Sequence, residues 1–149
     1  MDLVNNFYNK VLKNLNSEEI FIKENNKNYL YRDILGFHNE LQSKISQSIK
    51  SNNQVKISIL ANKSFRMYAS IISTIISKNV WIPIDGNLPN DIFGYMIKAS
   101  NTKIVLIDSE NLKKYGTFIK KNKIKFINID NIYPTSKIEN LRNNLSNNF

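Results

Sequence analysis

The chain has 149 residues, 42% of them hydrophobic and 22% charged, a composition that fits one globular domain or part of a larger one. It contains no cysteine, which excludes disulfides and thiolate metal sites. No signal-peptide pattern is present, and the longest mostly apolar run, Met67–Ile76, is about half the roughly 20 residues that a membrane span needs. We therefore expect a cytoplasmic protein without a membrane partner.

The net charge of +9 and the pI near 9.7 raise the question of nucleic-acid binding. Lysine, asparagine and isoleucine share A/T-rich codons and arginine is scarce, so genome composition explains the charge without a ligand. The lysines are scattered, with their densest group at Lys113–Lys125. Nucleic-acid readers favour arginine or stacking aromatics, so we do not expect a nucleic-acid partner.

Hydrophobic spacing predicts the elements of the N-terminal region. Asp2–Leu15 repeats apolar residues every three or four positions, which predicts an amphipathic helix. Glu19–Lys23 and Lys27–Tyr31 predict a hairpin around a Glu-Asn-Asn turn, because asparagine tolerates positive φ. Arg32–Ile49 predicts a second amphipathic helix, with His38 near its middle.

From Val55 onward the pattern alternates between strands and helices. The predicted strands are Val55–Leu60, Val80–Ile82, Lys103–Ile107 and Ile124–Ile129, and the predicted helices are Phe65–Ser77, Pro89–Ser100 and Glu110–Asn122. Short connections and apolar strands predict an α/β fold, a mostly parallel sheet with helices on both faces. The hairpin is expected to add antiparallel strands at one end. This domain is expected to occupy residues 1–133, followed by a polar, disordered tail at residues 134–149.

No residue pattern identifies a catalytic, cofactor-binding or metal-binding residue. The four glycines are isolated, so no phosphate-binding loop is predicted. His38, the one histidine, is interpreted as a packed or half-exposed helix residue. Asp85, Asp108 and Asp130 follow predicted strands, at the sheet edge where ligands often bind, but turn and cap roles are favoured. Trp81 lies mid-strand and is interpreted as a core or inter-domain residue.

Several blocks of the sequence match one enzyme superfamily in order and spacing. Tyr31, Asn39 and Leu41 match its early helix pattern, "TYxEL....N.L", and Asp33 stands where the superfamily favours glutamate. Val55–Leu60 resembles the strand that follows this helix. Each of these blocks is short, so the resemblance depends on their combination with the later ones.

The most specific block is Ile75–Asp85, which resembles the pattern "LKAGxAYVPID". Pro83–Asp85 match its last three positions, and Trp81 holds the aromatic position. Ile76 and Lys78 replace the lysine and the glycine of the pattern. These two replacements mark the chain as a divergent example of the pattern.

The next block, Leu88–Ser100, resembles "YP..R..YML..S", with Ile92 in place of the arginine, and Ile104–Ile107 resembles the strand after it. Together the blocks extend from about Asn16 to Ile129. The chain therefore resembles the N-terminal part of the adenylate-forming (AMP-binding) enzymes, which include acyl-CoA synthetases, peptide-synthetase adenylation domains and luciferases. The Pro-Ile-Asp sequence at Pro83–Asp85 most resembles that of peptide-synthetase adenylation domains and D-alanine-activating ligases.

The resemblance implies both a fold and a chemistry. The fold is expected to be the first subdomain of the adenylate-forming large domain. A complete family enzyme uses ATP and Mg²⁺ to activate a carboxylic or amino acid as an acyl-adenylate. The family's ATP loop, ribose-binding aspartate and catalytic lysine cannot be placed in this sequence, so no family site residue carries over. We therefore expect the chain alone to be inactive and to hold no cofactor.

Three hypotheses about function stay open. The first is an N-terminal fragment or split piece of an AMP-binding acid ligase, which either binds a separate chain carrying the rest of the adenylation domain or self-associates. The second is a non-catalytic binding or regulatory α/β module that kept the scaffold. The third is a basic nucleic-acid-binding domain.

Overall fold

The computed structural model describes residues 18–51 and 53–134, together with residues 5, 6, 9, 10, 13 and 14. Residues 5, 6, 9, 10 and 13 are helical and fall within the predicted N-terminal helix. The predicted tail lies outside the described residues from position 135 onward.

The elements follow the predicted order, with bounds that differ by one or two residues. The strands are β1 (Ile20–Glu24), β2 (Lys27–Leu30), β3 (Lys56–Leu60), β4 (Val80–Pro83), β5 (Ile104–Ile107) and β6 (Phe126–Asn128). The helices are α1 (Tyr31–Ser48), α2 (Phe65–Ile76), α3 (Asn90–Ala99) and α4 (Ser109–Lys121), and a 3₁₀ turn at Ile129–Asn131 follows β6.

The hairpin forms, but it does not join the main sheet. β1 and β2 pair antiparallel as a separate two-stranded sheet, turning at Asn25 and Asn26, whose φ angles are 46° and 62°. The hairpin is instead held by aromatic packing, since the Tyr29 ring stacks on the Phe65 ring with centroids 4.0 Å apart. The expectation that it extends the sheet was therefore wrong: β2 leads directly into α1, and the hairpin packs against α2 through Phe65 instead of pairing with a sheet edge.

The main sheet has four parallel strands in the order β4-β3-β5-β6. β3 is central, with Ile57 paired to Trp81 on one side and to Ile104 on the other. Every residue of β5 is buried, as its continuous apolar pattern predicted. A parallel α/β sheet with a preceding hairpin is the predicted fold class, and it is confirmed.

Helices cover both faces of this sheet because strand side chains alternate between the faces. Ile57, Ile104 and Leu106 pack in one buried cluster with residues of α1 and α2. Leu60 and Val105 pack in a second cluster with residues of α3 and α4. The two clusters are the two cores of the molecule, one on each side of the sheet.

The sheet ends at β4 on one side, which changes the interpretation of Trp81. No described strand pairs with the outer side of β4, and Val80 and Trp81 are each 37% exposed. The core role for Trp81 was wrong, because periodicity predicts which face a residue takes but not whether its strand is central. Its inter-domain role stays a prediction.

Three of the turns that lead from a helix into a strand are built in the same way. Lys78, Asn101 and Lys123 have φ angles of 56°, 56° and 52°, the left-handed region that favours glycine. In each turn, the next residue donates its N–H to the carbonyl five positions earlier, as in Asn79 N to Thr74 O at 3.0 Å. This is the Schellman ending of a helix. The positive φ angle at Lys78 explains why the pattern "LKAGxAYVPID" has glycine at this position.

Candidate functional site

The carboxyl ends of the parallel strands border an open cleft of about 480 Å³. The loops after β3 and β4 and the beginning of α4 line it, with Asn62, Asp85, Gly86 and Asn111 among its residues. This edge is where open α/β sheets usually bind ligands. The cleft is therefore the first candidate for a functional site.

Asp108 follows β5 and lies at the centre of this edge. Its Oδ1 accepts hydrogen bonds from the backbone N–H and the side-chain amide of Asn111, at 2.8 and 2.9 Å. Its Oδ2 accepts from the backbone N–H of Asn62, at 2.7 Å, which ties the loop after β3 to the start of α4. Asp108 is therefore the N-cap of α4 and a loop anchor, and both of its oxygens already have protein partners.

The other two predicted aspartates also bond to nearby backbone. Asp130 accepts from the backbone N–H of Ser109 at 2.8 Å, and Asp85 accepts from the backbone N–H of Asn87 at 2.8 Å. Each of the three carboxylates is thus engaged by nearby backbone N–H groups. The turn and cap roles favoured for them are the ones their hydrogen bonds show.

A tyrosine that the sequence did not single out fixes the loop after β4. The Tyr115 hydroxyl lies 2.9 Å from the carbonyl of Gly86 and 2.7 Å from that of Leu88. Lys114 Nζ also donates to the Gly86 carbonyl. A Cβ on Gly86 would lie 2.6 Å from Asn111 Oδ1, so only glycine fits here without a shift. No sequence signal identified Tyr115, since the periodicity of α4 marks it simply as an inward residue.

The charged groups around the cleft are balanced and offer no reactive pair. Lys63 and Lys114 carry two positive charges, and Asp85 and Glu110 carry two negative ones. Glu110 already accepts from the Asn62 side chain at 2.8 Å. No group of three histidine, aspartate or glutamate side chains that could hold a metal occurs among the described residues.

His38 lies inside α1 rather than at the cleft and is 8% exposed, as its mid-helix position predicted. Burial lowers its pKa from 6.5 to about 4, because desolvation disfavours the charged imidazolium. Its Nδ1 has no hydrogen-bond partner in the described part of the protein. The imidazole is packed in the helix, and its lowered pKa favours the neutral form.

No protein-family model and no curated protein matches this sequence. Solved structures do match. A nonribosomal peptide synthetase bound to α-methyl-L-serine-AMP has a TM-score of 0.67 at 14% identity, over 91% of this chain and 15% of its own. A four-domain nonribosomal peptide synthetase bound to AMP and glycine has a TM-score of 0.67 at 15% identity, over 96% of this chain and 10% of its own.

A third match limits the comparison to one part of such proteins. The N-terminal subdomain of NpsA from Klebsiella oxytoca, in complex with 3-hydroxyanthranilyl-AMSN, has a TM-score of 0.64 at 12% identity, over 91% of this chain and 32% of its own. The chain has the fold of the N-terminal part of an adenylation domain. This adenylation-type fold is the one expected from the sequence blocks. The chain spans between 10% and 32% of the length of these three structures.

None of the described helices is long and apolar enough to cross a membrane.

Proposed function

We propose that this chain is the N-terminal scaffold of an AMP-binding acid ligase, which activates a carboxylic or amino acid as an acyl-adenylate. The observation that carries the proposal is the adenylation-type fold, which extends over about nine-tenths of the chain. The complete unit would use ATP and Mg²⁺; the α-methyl-L-serine-AMP and the AMP bound in two of the matching structures support the use of an adenine nucleotide.

The candidate cleft supports a scaffold role rather than an independent active site. Asp108, Tyr115 and Lys114 bond to the chain's own loops, so the polar groups of this edge hold the fold together. Adenylation needs groups positioned on the phosphates and on the developing charge. We propose that residues outside this sequence supply those groups, either in the same polypeptide or in a separate chain.

The free side of β4 is the surface we propose for contact with those residues. Trp81 shares a face with Ile57, toward α1 and α2, and Val80 lies on the opposite face with Lys56. Among the residues that the structure describes, seven large hydrophobic side chains are exposed, and five of them belong to β4 or to the neighbouring helices α2 and α3: Tyr68, Val80, Trp81, Ile92 and Tyr95. Exposed apolar side chains concentrated around one open strand are a feature of interaction sites.

The orientation of α3 adds to this surface. A Cβ on Gly94 would lie 2.6 Å from the Phe118 ring, so that side of α3 faces α4. Ile92 and Met96 are two residues away from Gly94 in each direction, about 200° around the helix, and so face away from α4. Because α4 connects β5 to β6, the opposite side of α3 is the β4 side.

Pro83 determines how a partner can bind there. Val80 and Ile84 donate their N–H groups to Val55 and Ile59 of the neighbouring strand region, at 3.0 Å each, so Trp81 and Pro83 point their backbone nitrogens outward. Proline has no N–H, which leaves the outer side of β4 with one donor, at Trp81. We therefore propose that the partner covers β4 with side chains rather than by adding a strand.

The test of the activity is acid-dependent exchange of pyrophosphate with ATP. We expect no exchange from the purified chain and recovery of exchange when a polypeptide carrying the later adenylation segments is added. Exchange by the chain alone would overturn the scaffold proposal. A partner that binds without restoring exchange would favour the non-catalytic module that kept the scaffold.

The test of the surface is a binding measurement on two variants. Val80→Ser combined with Ile92→Ser should weaken complex formation at least tenfold, because both side chains are exposed on the β4 side. Tyr133→Ser, which removes a 69% exposed aromatic beyond β6, is the matched control and should leave complex formation unchanged. Equal loss in both variants would contradict the assignment of the surface.

A further inference from the structure

The amino ends of the four parallel strands gather lysines that are far apart in the sequence. Nine exposed lysines lie at the first position of β3, in the connections that enter β3, β4, β5 and β6, or in the helix turns just before them: Lys50, Lys56, Lys78, Lys98, Lys103, Lys120, Lys121, Lys123 and Lys125. We call this set the lysine face. No aspartate or glutamate occurs in residues 49–56, 77–80, 98–104 or 120–126.

The backbone under the lysine face is well ordered by hydrogen bonds. The N–H of Lys103 donates to the carbonyl of Lys56 at 2.9 Å, which places these two lysines on adjacent strands. Adjacent strands are about 4.8 Å apart, so the two positive charges start from neighbouring positions. Lys78 and Lys123 occupy the left-handed position of two of the Schellman turns. The lysines therefore project from fixed points rather than from a flexible tail.

Helix dipoles do not account for so much positive charge. All four helices end at this side of the sheet, and each contributes about −0.5 elementary charge, or about −2 together. Lys125 Nζ satisfies one helix end directly, by donating to the carbonyl of Ser48 at 2.8 Å. Nine lysines leave a clear positive excess after this compensation. Codon bias explains the number of lysines but not why the same segments contain no acidic residue.

This placement changes the interpretation of the charge that the sequence suggested. Lysine is depleted in protein–protein interfaces, which argues against a protein as the natural partner of a face made of lysine. Sequence-independent binding to nucleic acid needs positive charge to neutralise phosphates and no base readout. The absence of arginine from residues 49–56, 77–80, 98–104 and 120–126 therefore argues against sequence reading, not against phosphate binding.

We propose that the lysine face binds the phosphate backbone of nucleic acid without sequence preference. The expected dissociation constant is roughly 10⁻⁴ to 10⁻⁶ M near physiological salt, the range of non-specific binding. The affinity falls steeply with salt, because each neutralised phosphate releases counterions. This inference is independent of the ligase proposal, since it concerns the opposite end of the strands from the cleft.

The test compares two triple variants with the same change in net charge. Lys56→Gln, Lys103→Gln and Lys121→Gln remove three charges from the lysine face. Lys27→Gln, Lys63→Gln and Lys113→Gln remove three exposed charges from the hairpin, from the loop after β3 and from α4. The probe is a 20-base-pair DNA duplex of mixed sequence, measured by fluorescence anisotropy from 0.05 to 0.2 M salt. Thermal melts of both variants confirm that each is folded.

We expect the lysine-face variant to bind the duplex at least tenfold more weakly. The slope of the logarithm of the binding constant against the logarithm of the salt concentration should become shallower by about 3, since each removed lysine leaves one phosphate without its positive partner. The control variant should keep most of the affinity and the slope. Equal losses would show that net charge alone acts and would overturn the proposal. So would binding to poly-L-glutamate or to phosphatidylserine vesicles that equals or exceeds binding to the duplex, since the partner would then be an acidic protein or a membrane.

Discussion

The two ends of the parallel strands differ in how their charged residues are used. At the carboxyl end, charges of both signs are used internally, and Asp108 alone joins Asn62 and Asn111 by three hydrogen bonds. At the amino end, exposed lysines stand in ordered turns, and the same segments contain no acidic residue. The carboxyl edge has the topology of a ligand site, yet its polar groups stabilise the fold. The amino edge carries exposed lysines instead.

The largest expected effect comes from Asp108, and it tests whether the carboxyl end holds the fold together. Asp108→Ala should lower the free energy of unfolding by about 3 kcal/mol, because it leaves the two buried donors of Asn111 and the part-buried N–H of Asn62 without an acceptor. Chemical denaturation measures this loss. Asp85→Ala, which removes one exposed turn hydrogen bond, should cost less than about 1 kcal/mol. Similar losses of unfolding free energy in the two variants would contradict the assignment of Asp108 as a structural anchor and Asp85 as an exposed turn residue.

Acid should destabilise the protein through its interior, where the imidazole of His38 is buried. The pKa of His38 is about 4 in the folded chain and 6.5 when unfolded, so the unfolded state binds the extra proton as the pH falls below 6.5. Stability is complete above pH 6.5 and should have dropped by about 2 kcal/mol at pH 5. Urea melts between pH 7 and 5 measure this loss. In a His38→Leu variant, the free energy of unfolding should stay constant between pH 7 and 5. If it falls as steeply as in the wild type, His38 is not the cause.

A smaller effect should come from the turns under the lysine face. Lys78→Gly should raise the free energy of unfolding by about 0.5–1 kcal/mol, because glycine adopts the left-handed conformation without the strain that lysine carries there. Asn101→Gly should gain less, since asparagine tolerates that conformation better than lysine does. Thermal unfolding of the two variants measures the difference. A loss of stability in Lys78→Gly would mean that the interactions of the lysine side chain outweigh the backbone strain.

The smallest expected effect is the response of stability to salt. Screening the mutual repulsion of the lysine face should add roughly 0.5 kcal/mol between 0.01 and 0.3 M salt, the scale of exposed charge interactions. Melting temperature against salt concentration measures it. The triple variant that removes Lys56, Lys103 and Lys121 should respond less than the wild type. An unchanged response would place the repulsion elsewhere on the surface.

The sequence predicted the elements well because each has a clear apolar period and defined ends, such as Ser64, whose side chain caps the beginning of α2. It predicted the fully buried strand β5 for the same reason. It could not predict the edge position of Trp81, because strand order is set by pairing over long distances. It also missed the lysine face, because residues from Lys50 to Lys125 come together only when the strands lie parallel. Tyr115 was missed because its partners are backbone carbonyls.

Pro83 affects how readily the open edge of β4 can aggregate. A partly assembled protein with an open, apolar strand is a template for uncontrolled growth into cross-β aggregates. Pro83 interrupts the outward row of donors on β4, so another copy cannot extend the sheet through a continuous ladder. The same residue that marks the Pro83–Asp85 block would thus limit edge-to-edge growth of the sheet.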